Sequence, residues 1–587
     1  MRNQMTGFSD SARRWRGGAV LTLIVMAIMV LAIIGAGMLT ISYGVQQRAI
    51  TVQNEAAALM AAEAGYERAI YWMSQQNDVL IALATNAPGS SGTLSFNDSS
   101  SSYSVEFSSF INATPVYRVT SIGVSGGASR TVAVDVIQAI TGWAMGSCRI
   151  PSGTSTTSPV NFVTGEIIDM PLHINRQNDS PDNRDIHISG TPDFRARVSM
   201  GEARRTTGGS DKYSTVMNLF DAGIYFNQPD SKITDPSILQ ARLGIFRQTI
   251  LDQKPLQVFT PVRDTTITGT GGTTLPAVHI EFFRGADGDG YVRITNNCTV
   301  VAGRRTTAQT FDFMVDPTNP NQFINYNVYA YHYAPRTTSP LHSVTTMRVA
   351  DAKVTPMFGG KAGIPGGKIF VDGNVVLGGD TASIVQGTMT IAATGNIWIA
   401  NSVRVSDTDD AGNSFPRPPG MLEPPRMDNP NALGLVAQGV IKVIDPGMSN
   451  YGPSSRRGVG VEVAADRGNS VYRPVGIGTG NNRMLPNDVE IEAGLTIGGG
   501  GWGAENVRRT SSGNTFGDRR ENTGSQDNLF LRGTIQEVVR GVVGIVGTDG
   551  FLKHYIMDQR MMQGILPGNI WLQGKFIPAP AGWHDYR

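Results

Sequence analysis

Residues 17–47, GGAVLTLIVMAIMVLAIIGAGMLTISYGVQQ, lie between Arg16 and Arg48 without a single charge. Such a run exceeds the roughly 20 residues a helix needs to cross a hydrocarbon core of about 30 Å, so the chain contains a membrane-spanning helix. The segment that follows, RAITVQNEAAALMAAEAGYERAIYWM, has no proline and is rich in alanine. It places Ile50, Leu59, Ala62, Tyr66, Ala69, Ile70 and Met73 at helical spacing, which extends the helix beyond the lipid. One rod of about 85 Å is predicted, at about 1.5 Å per residue. The apolar stripe on its outer half requires a partner.

Ahead of the span, Arg2, Arg13, Arg14 and Arg16 stand against the single acid Asp10, and no cation follows until Arg48. The positive-inside rule then keeps the N-terminus cytoplasmic and places everything after Tyr43 outside. The expectation is a single-pass membrane protein with its bulk exported. A cleaved secretory signal fits less well, because its apolar region spans only about 7–15 residues.

The segment Arg16-Gly17-Gly18-Ala19-Val20-Leu21, the long apolar helix and Ala61-Ala62-Glu63-Ala64-Gly65-Tyr66-Glu67 resemble the N-terminus of PilX-type minor pilins. They are less similar to K-type minor pseudopilins of type II secretion. The resemblance implies a prepilin peptidase site with cleavage after Gly17 or Gly18, so that the mature chain starts at Gly18 or Ala19. It also implies a helix that assembles with other pilins or pseudopilins. Major pilins carry a glutamate at the fifth mature residue, where it pairs with a neighbour's N-terminal amine; here that position is Thr22 or Leu23. An unpaired carboxylate in lipid is costly, so its absence removes both a cost and a docking element. Family members that lack it resemble tip or initiator subunits. Glu63 and Glu67, four residues apart on one helical face, read first as a solvated pair, although they lie within the resemblance. A plain signal anchor that is never cleaved is the alternative.

At 587 residues the chain exceeds one hydrophobic core. A net charge of +1 argues against a dedicated nucleic-acid binder. With 69 Gly, 31 Pro, 17% charged and 40% hydrophobic residues, the exported part reads as turn-rich β-structure. The fold class is therefore α+β: a long transmembrane and amphipathic helix with a small antiparallel, pilin-like sheet, then a mostly-β exported module that is in part a parallel β-helix. The predicted divisions are a basic leader over 1–18, the helix over 19–80, the small sheet over 81–140, a Gly, Ser and Thr-rich linker over 141–159, a β-rich middle region over 160–348 and a β-helix-like module over 349–587. The small sheet rests on the alternating runs Tyr103–Phe107, Val116–Val124 and Arg130–Val136. Cys148 and Cys298 both fall on the exported side, where oxidation is possible. A bridge between them would contribute about 4–5 kcal/mol in the chain-entropy model; two unpaired buried thiols are the alternative.

Two patterns in the module carry candidate chemistry. Gly285-Ala286-Asp287-Gly288-Asp289-Gly290 presents alternating carboxylates of the kind that ligate calcium, but Asp287 and Asp289 lack a third carboxylate and a bidentate glutamate, so a hairpin turn is the preferred reading. The pair Gly373-Asn374 recurs at Gly395-Asn396, and periods in the 20-residue range point to a solenoid. Two inserts interrupt that pattern, at Phe415–Pro430 and Gly498–Asp527, and both read as exposed loops.

No catalytic constellation emerges. Asp372 and Asp380 are the acids nearest the clearest repeats, whereas polysaccharide-degrading sites need carboxylates converging from adjacent rungs. The histidines show no metal-ligand spacing, and no cofactor is implied. The pairs Arg204-Arg205, Arg304-Arg305, Arg456-Arg457, Arg508-Arg509 and Arg519-Arg520 would attract an anionic surface polymer if several converged. The sequence thus indicates a non-enzymatic minor pilin-like subunit, at a filament tip or initiating assembly of a type IV pilus or secretion pseudopilus. A permanently anchored adhesin or glycan-binding protein is the alternative, and a β-helix enzyme a more distant one.

Overall fold

The computed structural model describes residues 11–75, 90–96, 99–109, 117–139, 142–147, 150–151, 157–158, 160–176, 186–202, 206–207, 210–211, 213–230, 236–262, 273–304, 313–316, 319–332, 344–355, 357–358, 361–362, 366–378, 382–418, 422–444, 460–462, 472–474, 488–504, 527–545, 549–562 and 575–586. A single unbroken helix, α1 (Ser11–Gln75), opens it. Its 65 residues extend about 98 Å, and the architecture as a whole is α+β with a large mixed β region.

The outer part of α1 lies on an antiparallel sheet of β1 (Ser90–Phe96), β2 (Ser99–Ser109), β3 (Tyr117–Ser125) and β4 (Ala128–Ala139). The turn between β3 and β4 uses Gly126 and Gly127 at φ of 52° and 84°, the left-handed backbone that a two-residue hairpin turn demands and glycine supplies. Alternation sorts the faces. Tyr103, Val105, Phe107, Val119, Val132, Val134 and Val136 point to the helix and close a core with Ala62, Ala69 and Met73. A fifth strand, Lys575–Tyr586, completes this sheet by pairing antiparallel with β4 from Ala139↔Lys575 to Thr131↔Tyr586. The sequence reading assigns 349–587 to the exported module, and this last stretch instead belongs with the helix. Pro578 and Pro580 hide it as a strand, yet an edge strand tolerates proline.

Everything between residues 139 and 575 is therefore inserted between two paired strand ends. Much of it is built from short parallel strands. The chain passes from Gly366–Val371 to Asn374–Leu377 to Ser383–Val385, then runs through the same order of strands at Thr388–Ala393, Ile397–Ile399 and Val403–Val405, each strand pairing parallel with its counterpart. Ala432–Ala437 and Ile441–Val443 add the next parallel neighbours, followed by Val489–Ile497 with Trp502–Ala504 and then Asp527–Val539. The Gly-Asn repeat marks one corner: Asn396 N–H donates to Asn374 Oδ1 at 3.0 Å across 22 residues, and Val440 N–H donates to Asn396 Oδ1 at 3.1 Å.

A second series, β5 (Trp143–Ser147), Leu172–Ile174, Val198–Met200 and Ile224–Tyr225, is also parallel. The stretch 141–159 was expected as a linker, but Trp143, Ala144 and Met145 are fully buried, so apolar packing overrides the Gly/Ser/Thr composition. The two series join because β5 pairs parallel with Asp527–Val539. Chain continuity between their far ends runs through α2 (Pro236–Gln253), whose Leu239, Leu243, Phe246 and Ile250 pack on Val354, Phe370, Ala392 and Val436. The proline-rich insert is not a free loop. Arg417 pairs with Asp407 and Glu492, Asn429 and Asn431 are fully buried, and Arg560 donates to the Asn429 and Asn431 carbonyls at 2.6 and 2.8 Å. Residues 505–526 of the other insert lie outside the described residues, while its Trp502–Ala504 is a buried strand.

Candidate membrane and assembly surface

Two halves of α1 differ in what they touch. From Ala19 to Gln53 its side chains are mostly exposed, and the exposed set is dominated by Val, Leu, Ile and Met, with Leu23 at 70% and Leu39 at 73%. This stretch is long and apolar enough to cross a membrane. Two of its hydroxyls bond within the helix: Thr40 Oγ1 donates to the Ala36 carbonyl at 2.8 Å and Thr51 Oγ1 to the Gln47 carbonyl at 2.9 Å. Lipid offers no alternative partner for such groups, so this local bonding suits an apolar surround. Ile50, expected in the packed stripe, is 43% exposed and belongs to the bare half.

Docking starts at Asn54, whose Nδ2 donates to the Gly126 carbonyl at 3.3 Å. Beyond it Ala58, Ala61, Ala62, Ala69 and Met73 are buried, and Leu59, Tyr66, Ile70 and Trp72 pack against the same core. The approach is close because glycine lies on both sides. A Cβ at Gly123 would stand 2.0 Å from the Ala58 carbonyl oxygen, and one at Gly65 would stand 2.2 Å from Ser121 Oγ. The alanine and glycine of the Ala61–Glu67 segment thus serve helix–sheet contact. Glu63 is half-buried and Glu67 exposed.

Gly17 and Gly18 fall within α1, and Ala19, Thr22 and Leu23 follow on its exposed apolar surface. Cys298 is buried in the core of the β region; Cys148 lies outside the described residues, so the bridge between them is not addressed by the structure. Asp287 and Asp289 occupy the turn of a hairpin formed by Thr273–Arg284 and Gly290–Arg304. The Tyr291 hydroxyl donates to Asp287 at 2.6 Å, and Arg348 reaches Asp287 at 3.2 Å and Asp289 at 2.7 Å. The Tyr291 hydroxyl, then the Asp289 backbone N–H and Arg348, hold the Asp287 carboxyl below the usual range. Both acids are engaged in tying the hairpin to Arg348. Among the described residues no group of three or more His, Cys, Asp or Glu could hold a metal ion.

Asp372 accepts from Thr394 Oγ1 at 3.1 Å, while Asp380 lies outside the described residues, as do both members of every arginine pair except Arg304-Arg305, of which Arg304 ends a strand. Sequence reasoning missed a different set of residues: Glu166, Glu537, Arg540, Lys553 and Tyr555, all buried. No motif flags them, since they come together from opposite ends of the module.

No family model and no curated protein matches the chain. Among solved structures, the competence-associated pilin ComZ from Thermus thermophilus aligns over 91% of this chain and 98% of its own, at 12% identity and a TM-score of 0.20. A score of that size carries no argument about fold or role.

Proposed function

We propose that this chain is a minor pilin-like subunit: the bare half of α1 resides in the inner membrane and then in a filament, and the docked half with its five-stranded sheet carries the β module outside. The observation that carries this reading is the division of one continuous helix into an apolar, uncovered stretch and a stretch closed by a small sheet. Prepilin peptidase would cleave after Gly17 or Gly18, and other pilins or pseudopilins would pack on the uncovered stretch. The parallel strands would form a β-helix, a platform whose arginine pairs could meet an anionic surface polymer. The missing acid at Thr22 or Leu23 and the size of the module favour a tip or initiating position. Cys148 and Cys298 are proposed to bridge.

The N-terminal residue of protein taken from membranes, with and without prepilin peptidase, tests the reading. A start at Gly18 or Ala19 that depends on the peptidase is expected. An intact Met1 in both strains would instead make the protein a permanently anchored surface adhesin. Uniform labelling along purified filaments would rule out the tip position.

A further inference from the structure

Along the inside of the parallel stack, side chains at equivalent positions form ladders, and these ladders are apolar nearly throughout. One runs Val371, Ala393, Ala437 and Ile497, then Glu537, then Met145, Ile174 and Met200. Another runs Val489, Leu529 and Lys553, and Glu166 immediately precedes the strand Ile167–Asp169 that pairs next to Lys553. The interruptions coincide with one place: the level at which β5 and the closing strand Asp549–Met557 meet.

That level is composed of two segments from opposite ends of the module. β5 lies against Asp527–Val539 on one side and Leu172–Ile174 on the other. The closing strand lies between Asp527–Val539 and Ile167–Asp169. Around it, Glu537 accepts from Trp143 Nε1 at 2.7 Å and from the Trp502 backbone at 2.7 Å. Trp502 Nε1 donates to the Tyr555 hydroxyl at 2.8 Å, and the Tyr555 ring meets Trp143 edge-on at 4.9 Å. Lys553 pairs with Glu166 and lies over the Phe162 ring, and Arg540 lies over Trp143 and Phe162.

Buried ionisable groups at one layer of an apolar core penalise any register that leaves them unmatched, whereas a purely aliphatic ladder resists a slip of one position, which turns its inner face outward, but accepts a slip of two, which keeps that face apolar. We propose that this layer is a clasp: the closing strand Asp549–Met557 and β5 lock the early part of the module, residues 142–230, against the late part, and the early part reaches its native register only when the closing strand is in place. A chain interrupted before residue 549 would then display no finished module, whatever that module binds. The inference does not depend on the role of α1.

Native-state hydrogen exchange on the full-length protein in detergent, at increasing urea below the global transition, tests it. Amides of residues 143–147, 167–174 and 198–200 are expected to open together with those of 551–557, at lower urea than amides of 389–393 and 433–437. In Lys553→Met, protection of the first group is expected to fall at least tenfold while the second group stays within about threefold of wild type. If residues 551–557 exchange with the second group while 143–200 stays protected, or if all segments open in one step, the clasp is refuted. Equal loss in both groups of the variant, or no loss in either, refutes it as well.

Discussion

At Gly123 and Gly65 the space for a single methyl group decides how α1 meets its sheet. Because the atom nearest to a new Cβ at Gly123 is the Ala58 carbonyl oxygen, a backbone atom, no rotamer change relieves the clash. Gly123→Val is expected to destabilise the docked half by at least about 1–3 kcal/mol, read as a lowered midpoint and early proteolysis between residues 54 and 75. Glu537 gives a second test at the same scale. Burial pushes its carboxyl from 4.5 up to about 7, against the opposing influence of Arg540 and the donors Trp502 and Trp143. The folded chain therefore keeps a proton between about 4.5 and 7 that the unfolded chain releases, so the stabilisation is full below that window and is lost as pH rises through it. Wild-type Tm is expected to drop more between pH 5 and pH 8 than that of Glu537→Gln, and parallel curves would contradict this.

Among the elements, α2 is the one whose removal should be felt furthest along the chain, since it covers Phe370, Ala392 and Val436 from three successive parallel strands. Phe246→Ala is expected to cost about 3–5 kcal/mol, measured by urea unfolding, with the largest gain in exchange at those three strands. The spacing of Leu239, Leu243, Phe246 and Ile250 is a plain helical signal, yet the surrounding turn-rich composition led the sequence reading to expect little helix there. The Gly-Asn pair at 373 and 395 was readable as a repeat for the opposite reason: its bond joins residues 22 apart at the starts of parallel neighbouring strands, so the contact repeats in the sequence itself. The turn at Asp287 and Asp289 was readable too, as a hairpin. The clasp was not. Trp143 and Glu537 are 394 residues apart, and nothing local announces a pair at that separation. The same holds for the terminal strand, whose partner β4 is the far side of the whole insertion.

For the whole molecule, the helix with its small sheet and the β module are joined by two chain crossings, at 139–143 and 562–575, and the first and last of these residues that are described pair directly as Ala139↔Lys575. In geometry the module occupies the place of a hairpin turn. Residues 140–574 could then be excised and replaced by a short Gly-Asn turn without disturbing β4 or its terminal partner, because the two strand ends already sit side by side at about 5 Å. The trimmed protein is expected to insert in membranes and to keep the protease resistance of residues 54–75. The helix with its small sheet, so read, is a socket into which unrelated payloads could be grafted, and the arrangement gives a simple route by which proteins of this shape could exchange the inserted part while leaving the helix and its sheet untouched.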